Sequence, residues 1–104
     1  MRQVLEMGNT LRVRKGLANL LVIGNNLARG NAAIAIGTLR IKSAVPMLIR
    51  LLKDPNLRIR CFSASALGKL GDKKALPALR SLSKKKDHAY QRKMVEGAIK
   101  KLTS

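Results

Sequence analysis

One cysteine and one histidine, Cys61 and His88, are the chain's whole supply of thiol and imidazole. A single thiol excludes an internal disulfide and any cysteine-built metal centre. A lone imidazole excludes a histidine-rich metal or acid–base cluster. Cys61 falls in the interior pattern of a helix, which reads as a small buried hydrophobe rather than a nucleophile. His88 stands beside the expected start of the last helix. The run "GDKKALP" offers glycine and lysine without the spacing of a phosphate-binding loop. No cofactor, metal ion or small-molecule substrate is expected from these residues, and the expectation is a chain that is not an enzyme.

The abundant chemistry is positive charge. Twenty-two Lys and Arg face five Asp and Glu, a net charge of +17 over 104 residues. A compact domain of that charge repels itself, so its natural complement is something acidic outside the chain. Three arginines recur at one spacing: Arg29, Arg60 and Arg92. They read as scaffold. The rest form clusters: Arg12, Arg14 and Lys15; Arg40 and Lys42; Arg50 and Lys53; Lys73 and Lys74; Arg80, Lys84, Lys85 and Lys86. In register they would make basic stripes, which suit an extended polyanion better than a point-like ligand. Phe62 and Tyr90 are the only aromatics, so base stacking on single strands is not expected. The expected partner is the phosphate backbone of DNA or structured RNA, bound without base readout.

These side chains are positioned by a repeat. Shifting the sequence by 31 places Arg29 on Arg60, Ala35 on Ala66, Gly37 on Gly68 and Ala44-Val45-Pro46 on Ala75-Leu76-Pro77. A further shift by 32 places Arg60 on Arg92, Phe62 on Met94, Ala66 on Ala98 and Leu70 on Leu102. Matching positions are apolar, Gly, Pro or Arg, as a packing repeat requires. Each unit reads as two helices. Asp54 and Pro55 look like a helix start. Gly71 suits a left-handed helix end, and Asp72 caps the turn after it. Asp87 is expected to cap the last helix, and Glu96 to pair with Lys100.

"ALGKLGDKKALPALRSL" and "LLKDPNLRIR" resemble the HEAT-like repeats of the type first named from phycobilisome lyases. The resemblance covers about residues 10–102. It implies an all-α, right-handed solenoid of about three helix pairs, first helices convex and second helices concave. The expected layout is a remnant first helix at 1–7, a second helix at 10–22, a first at 26–39, a second at 43–53, a first at 56–70, a second at 74–84 and a last helix at 88–102. The chain then reads as a single repeat domain: a partial unit 1–24, repeats 25–55 and 56–86, and a terminal helix 87–104. Lyase activity is not expected from the repeat, because the short chain lacks a large pocket.

Two functions follow as expectations. The first is a non-enzymatic basic HEAT-like module on nucleic acid backbone. The alternative is a protein–protein adaptor using its concave surface or its open N-terminal end, where Leu17, Leu20, Leu21, Val22 and Ile23 leave an apolar face; self-association there is a further option. A continuous surface of Arg40, Lys42, Lys73, Lys74, Lys84, Lys85 and Lys86 would favour the first; an exposed apolar patch between Leu17 and Ile23 the second. No apolar run approaches eighteen residues, and the start lacks a signal-peptide core. An intracellular, cytoplasmic protein without membrane insertion is the expectation.

Overall fold

The computed structural model describes residues 11–85 and 88–104. Among them are six α-helices: α1 (Leu11–Ile23), α2 (Asn26–Leu39), α3 (Val45–Leu51), α4 (Leu57–Leu70), α5 (Leu76–Ser83) and α6 (Ala89–Thr103). They build an all-α solenoid in two layers. Helices α2, α4 and α6 stack side by side; α1, α3 and α5 pack against them as the second layer. The expected remnant helix at 1–7 and the Asp87 cap lie outside the described residues.

The local signals recur with the repeat. Asn25 accepts a hydrogen bond from the Ala28 N–H at 2.9 Å, and Asn56, 31 residues on, accepts one from Ile59 N–H at 3.2 Å. These are the caps of α2 and α4. Asp54 is not the cap of α4, a correction to the sequence expectation. Its carboxylate lies two residues earlier and accepts the Asn56 N–H at 2.9 Å.

Both helices end in the left-handed region. At Gly71 φ is 72°, which glycine adopts without penalty. The equivalent residue one unit earlier is Arg40, at φ 56°. A non-glycine residue there costs about 1 kcal/mol. Its guanidinium reaches α4 and donates to the Lys69 carbonyl at 2.6 Å. That carbonyl belongs to the negative end of a helix, where a cation is favoured.

Helices α3 and α5 are shorter than the pattern predicts. Each is entered through a 3₁₀ turn, Lys42–Ala44 or Lys73–Ala75, and Pro46 and Pro77 follow in the first α-helical turn. Asp72 caps the second of these turns by accepting the Lys74 N–H at 2.9 Å. Periodicity of apolar residues does not separate 3₁₀ from α at a helix start, so the sequence blurs the boundary.

The core runs between the layers. Leu21, Ile36, Leu48, Ile59, Leu67, Leu79 and Val95 are fully buried. Small residues line the contact between first helices. A methyl group added at Gly37 would stand 3.0 Å from Ala66 Cα, and one at Gly68 would stand 3.0 Å from Ala98 Cα. The same approach is thus made twice, one unit apart. It holds the helix backbones close enough for the buried core to be filled by Leu, Ile, Val and Ala, with Phe62 packed half-buried against it.

Two glycines separate close packing from mere occurrence. Gly68→Val is expected to lower stability by about 2 kcal/mol, since the added carbons meet backbone rather than a movable side chain. Gly97, in α6, has nothing within 4 Å of an added methyl. Gly97→Ala should raise stability by about 0.5–1 kcal/mol through helix propensity. Urea unfolding of both variants checks the pair.

Candidate functional site

Two of the three recurring arginines, Arg29 and Arg60, tie one unit to the next. Arg29, on α2, donates from Nε to the Leu21 carbonyl of the preceding unit at 3.2 Å, and its Nη2 pairs with Asp54 at the far turn of its own unit. Asp54 is 7% exposed through its side chain, so the pair is largely withdrawn from water. It is the one ion pair among the described residues; Glu96 and Lys100 form none. Arg60, on α4, donates from Nη1 to the carbonyls of Asp54 at 2.7 Å and Pro55 at 3.1 Å, and from Nε to Gln91 Oε1 at 2.6 Å. Gln91 is buried at the start of α6. Neither Gln91 nor the tying role of Arg40 was signalled in the sequence pattern. The only hint for Arg40 is that it occupies the position of Gly71.

The described basic residues on the second-layer helices and their turns are exposed, and the repeat sorts them onto two edges. Second-layer helices run from the turns within units to the turns between units. Lys42, Lys73 and Lys74 lie at the first kind of turn, and Arg12, Arg14 and Lys15 at the equivalent start of α1. Arg50, Lys53, Arg80, Lys84 and Lys85 lie at the second. The eight residues of α5 hold Lys74 and Lys84 roughly 12 Å or more apart at 1.5 Å per residue. The expected surface joining Lys73 and Lys74 to Lys84 and Lys85 would therefore have to run the length of α5, because the two groups flank opposite ends of that helix. Arg40 stays exposed while its guanidinium bonds the Lys69 carbonyl. Lys86 lies outside the described residues.

The edge between units has a second component. Around the Gly24–Asn25 turn, Leu20 is 41% exposed, Val22 66%, Ile23 79% and Leu27 71%. Leu17 is half-buried and Leu21 fully buried, so the apolar patch is narrower than Leu17 to Ile23 on α1. It extends instead across the turn to Leu27, which the sequence reading missed. Leu51, the equivalent of Leu20 one unit on, is half-buried. The edge thus carries an apolar cluster at its N-terminal end and a basic row at the two later turns.

Cys61 is 1% exposed. Burial pushes its thiol above the usual value, and the nearby Arg60 guanidinium pulls it partly back. No group of three or more metal-binding side chains occurs among the described residues, and no described helix is long and apolar enough to cross a membrane.

The HEAT repeat family model matches residues 14–100. The chain belongs to the HEAT repeat family. Over 54 residues, 52% of its length, the chain is 44% identical to phycocyanobilin lyase subunit alpha of Picosynechococcus sp.. The matched stretch spans 20% of that relative. The comparison corrects two expectations. The chain was expected to be no enzyme, and no lyase activity was expected from its repeats, yet a curated relative is a lyase subunit. Neither comparison supports nucleic acid as the partner of these repeats.

Asp54→Ala is expected to cost about 3 kcal/mol, because it strands the Arg29 charge in a largely buried site. Arg29→Ala should cost a similar amount, and the double variant little more than either alone, as read by a double-mutant cycle. Cys61 should react with a thiol reagent at pH 8 about 100-fold more slowly in the native chain than in urea, given its burial and raised thiol value.

Proposed function

We propose that this HEAT-repeat chain is a protein-interaction module that docks an acidic, amphipathic helical partner along the edge between units. The observation that carries the reading is the continuity of two unlike surfaces on that edge. The apolar cluster of Leu20, Val22, Ile23 and Leu27 gives an anchor that water would otherwise cover. Arg50, Lys53, Arg80, Lys84 and Lys85 follow it and favour an acidic flank. A partner helix with leucines on one stripe and glutamates beside it matches both. A second copy of the chain matches only the first, since two bodies of charge +17 repel. A nucleic acid backbone matches only the second, and the basic residues face it from two separate edges.

The match to a lyase subunit favours a second reading, in which the docked assembly works with phycocyanobilin. Absorbance of added phycocyanobilin should then shift in the presence of the chain and partner; an unchanged spectrum removes this reading.

The docking reading is tested with a labelled helical peptide bearing a leucine stripe and glutamate flanks. Binding in the micromolar range is expected. Leu27→Asp should weaken it at least about tenfold, or 1.4 kcal/mol. The paired change Lys84→Glu and Lys85→Glu should weaken it most at low salt. Equal binding of a scrambled peptide without the apolar stripe, equal competition by duplex DNA, or self-association in place of peptide binding would overturn the proposal.

A further inference from the structure

The second layer is open between its helices, and the openings recur with the repeat. A groove of about 260 Å³ lies between α1 and α3, lined by Leu21, Val22, Arg29, Met47, Arg50 and Leu51. Another of about 290 Å³ lies between α3 and α5. Five residues lining the second groove are those of the first moved on by 31. Leu52 stands for Leu21, Lys53 for Val22, Ala78 for Met47, Ser81 for Arg50 and Leu82 for Leu51. The floors are alike, since Leu21, Leu52 and Leu82 are buried and Leu51 is half-buried. Met47 and Ala78, also half-buried, stand at the same place in their two grooves.

The end of α3 separates the grooves. It carries two exposed cations, Arg50 on the helix and Lys53 in the turn after it. The acid at that end, Asp54, is already committed: Oδ1 to Arg29 and Oδ2 to the Asn56 N–H. Along the edge between units the order is therefore apolar groove, cation pair, apolar groove. Packed helices stand about 10 Å apart, so neighbouring grooves are separated by about that distance. A partner helix rises about 10 Å in seven residues. Its positions i, i+4 and i+7 share one face, the usual anchor pattern of a helix laid into a groove.

We propose that the two grooves are paired anchor pockets for one acidic, amphipathic helix. The helix places apolar side chains at i and i+7, one in each groove, and a carboxylate at i+4 between Arg50 and Lys53. The inference rests on the docking reading above and gives that partner a spacing. The carboxylate is favoured where it falls because both cations flank the ridge it must cross.

The test uses the full chain with labelled methyl groups and follows Met47 and Ala78 by NMR, one methyl in each groove. Three helical peptides carry two leucines four, seven or eleven residues apart on one face, with a glutamate between them. The seven-residue spacing should move both methyl signals along a single saturation curve. It should bind at least about tenfold tighter than the other two. Arg50→Glu combined with Lys53→Glu should weaken it at least about fivefold, and lysine in place of the peptide's glutamate should restore binding. If the three spacings bind alike, or the tightest peptide moves only one of the two methyls, the paired grooves are overturned and the docking reading stands. An unchanged affinity in the charge-reversed chain overturns the carboxylate contact. If no peptide binds, the docking reading falls and the paired grooves with it. Shifts of Met47 and Ala78 on raising the chain's own concentration, without peptide, would make a second copy the occupant and overturn the proposal.

Discussion

The near contact of α2 with α4, and of α4 with α6, is the constraint from which the rest of the molecule follows. Gly37 against Ala66 and Gly68 against Ala98 bring helix backbones to a separation that a larger residue at either glycine would not allow. A solenoid stabilises each unit by the interface with its neighbours rather than by a central core. The closeness of the first helices therefore sets how the second layer stacks, and how far apart the turns lie. Helix α4 is packed from both sides and α2 and α6 each meet it from one, which makes α4 the central member of the described stack.

Polar ties fix the register that small residues permit. Apolar packing alone lets one helix slide along another at little cost, whereas a hydrogen-bonded guanidinium must find its partner. Arg29 does so with Asp54, Arg60 with Gln91, and Arg40 with the Lys69 carbonyl. The last two span two units, and Arg29 reaches the preceding unit through the Leu21 carbonyl. With the register set, every turn between units falls on one edge and every turn within a unit on the other. The exposed charge is distributed by the same rule, so the functional surface is a consequence of how the helices stack.

Much of this was legible in the sequence, because it depends on residue types that recur. The period, the prolines in the first turn of each second helix, Gly71 at its left-handed position and the scaffold role of Arg29 and Arg60 all follow from alignment of the chain with itself. What escaped depends on distance across the fold. Asp54 resembles a cap when read locally, but its carboxylate is used by an arginine twenty-five residues away. Arg40 looks like one more surface cation, although its side chain ends on α4. Lys74 and Lys84 look like neighbours in a charged segment, while a helix stands between them. Leu27 carries no signal of its own in the repeat and is 71% exposed. The reading of the chain as no enzyme failed for a different reason. It weighed which catalytic groups a short chain lacks, and the relative shows that such a stretch can sit inside a much longer lyase subunit.

The edge between units is the central claim, and mapping the bound peptide onto the backbone tests it most directly. Amide chemical shifts of the full chain would be compared with and without the glutamate-flanked helix. The account predicts that the largest changes fall at residues 20–27, 50–56 and 80–85, with residues 40–44 and 71–75 nearly unmoved. Changes centred on residues 40–44 and 71–75 would place the partner on the opposite edge and contradict it.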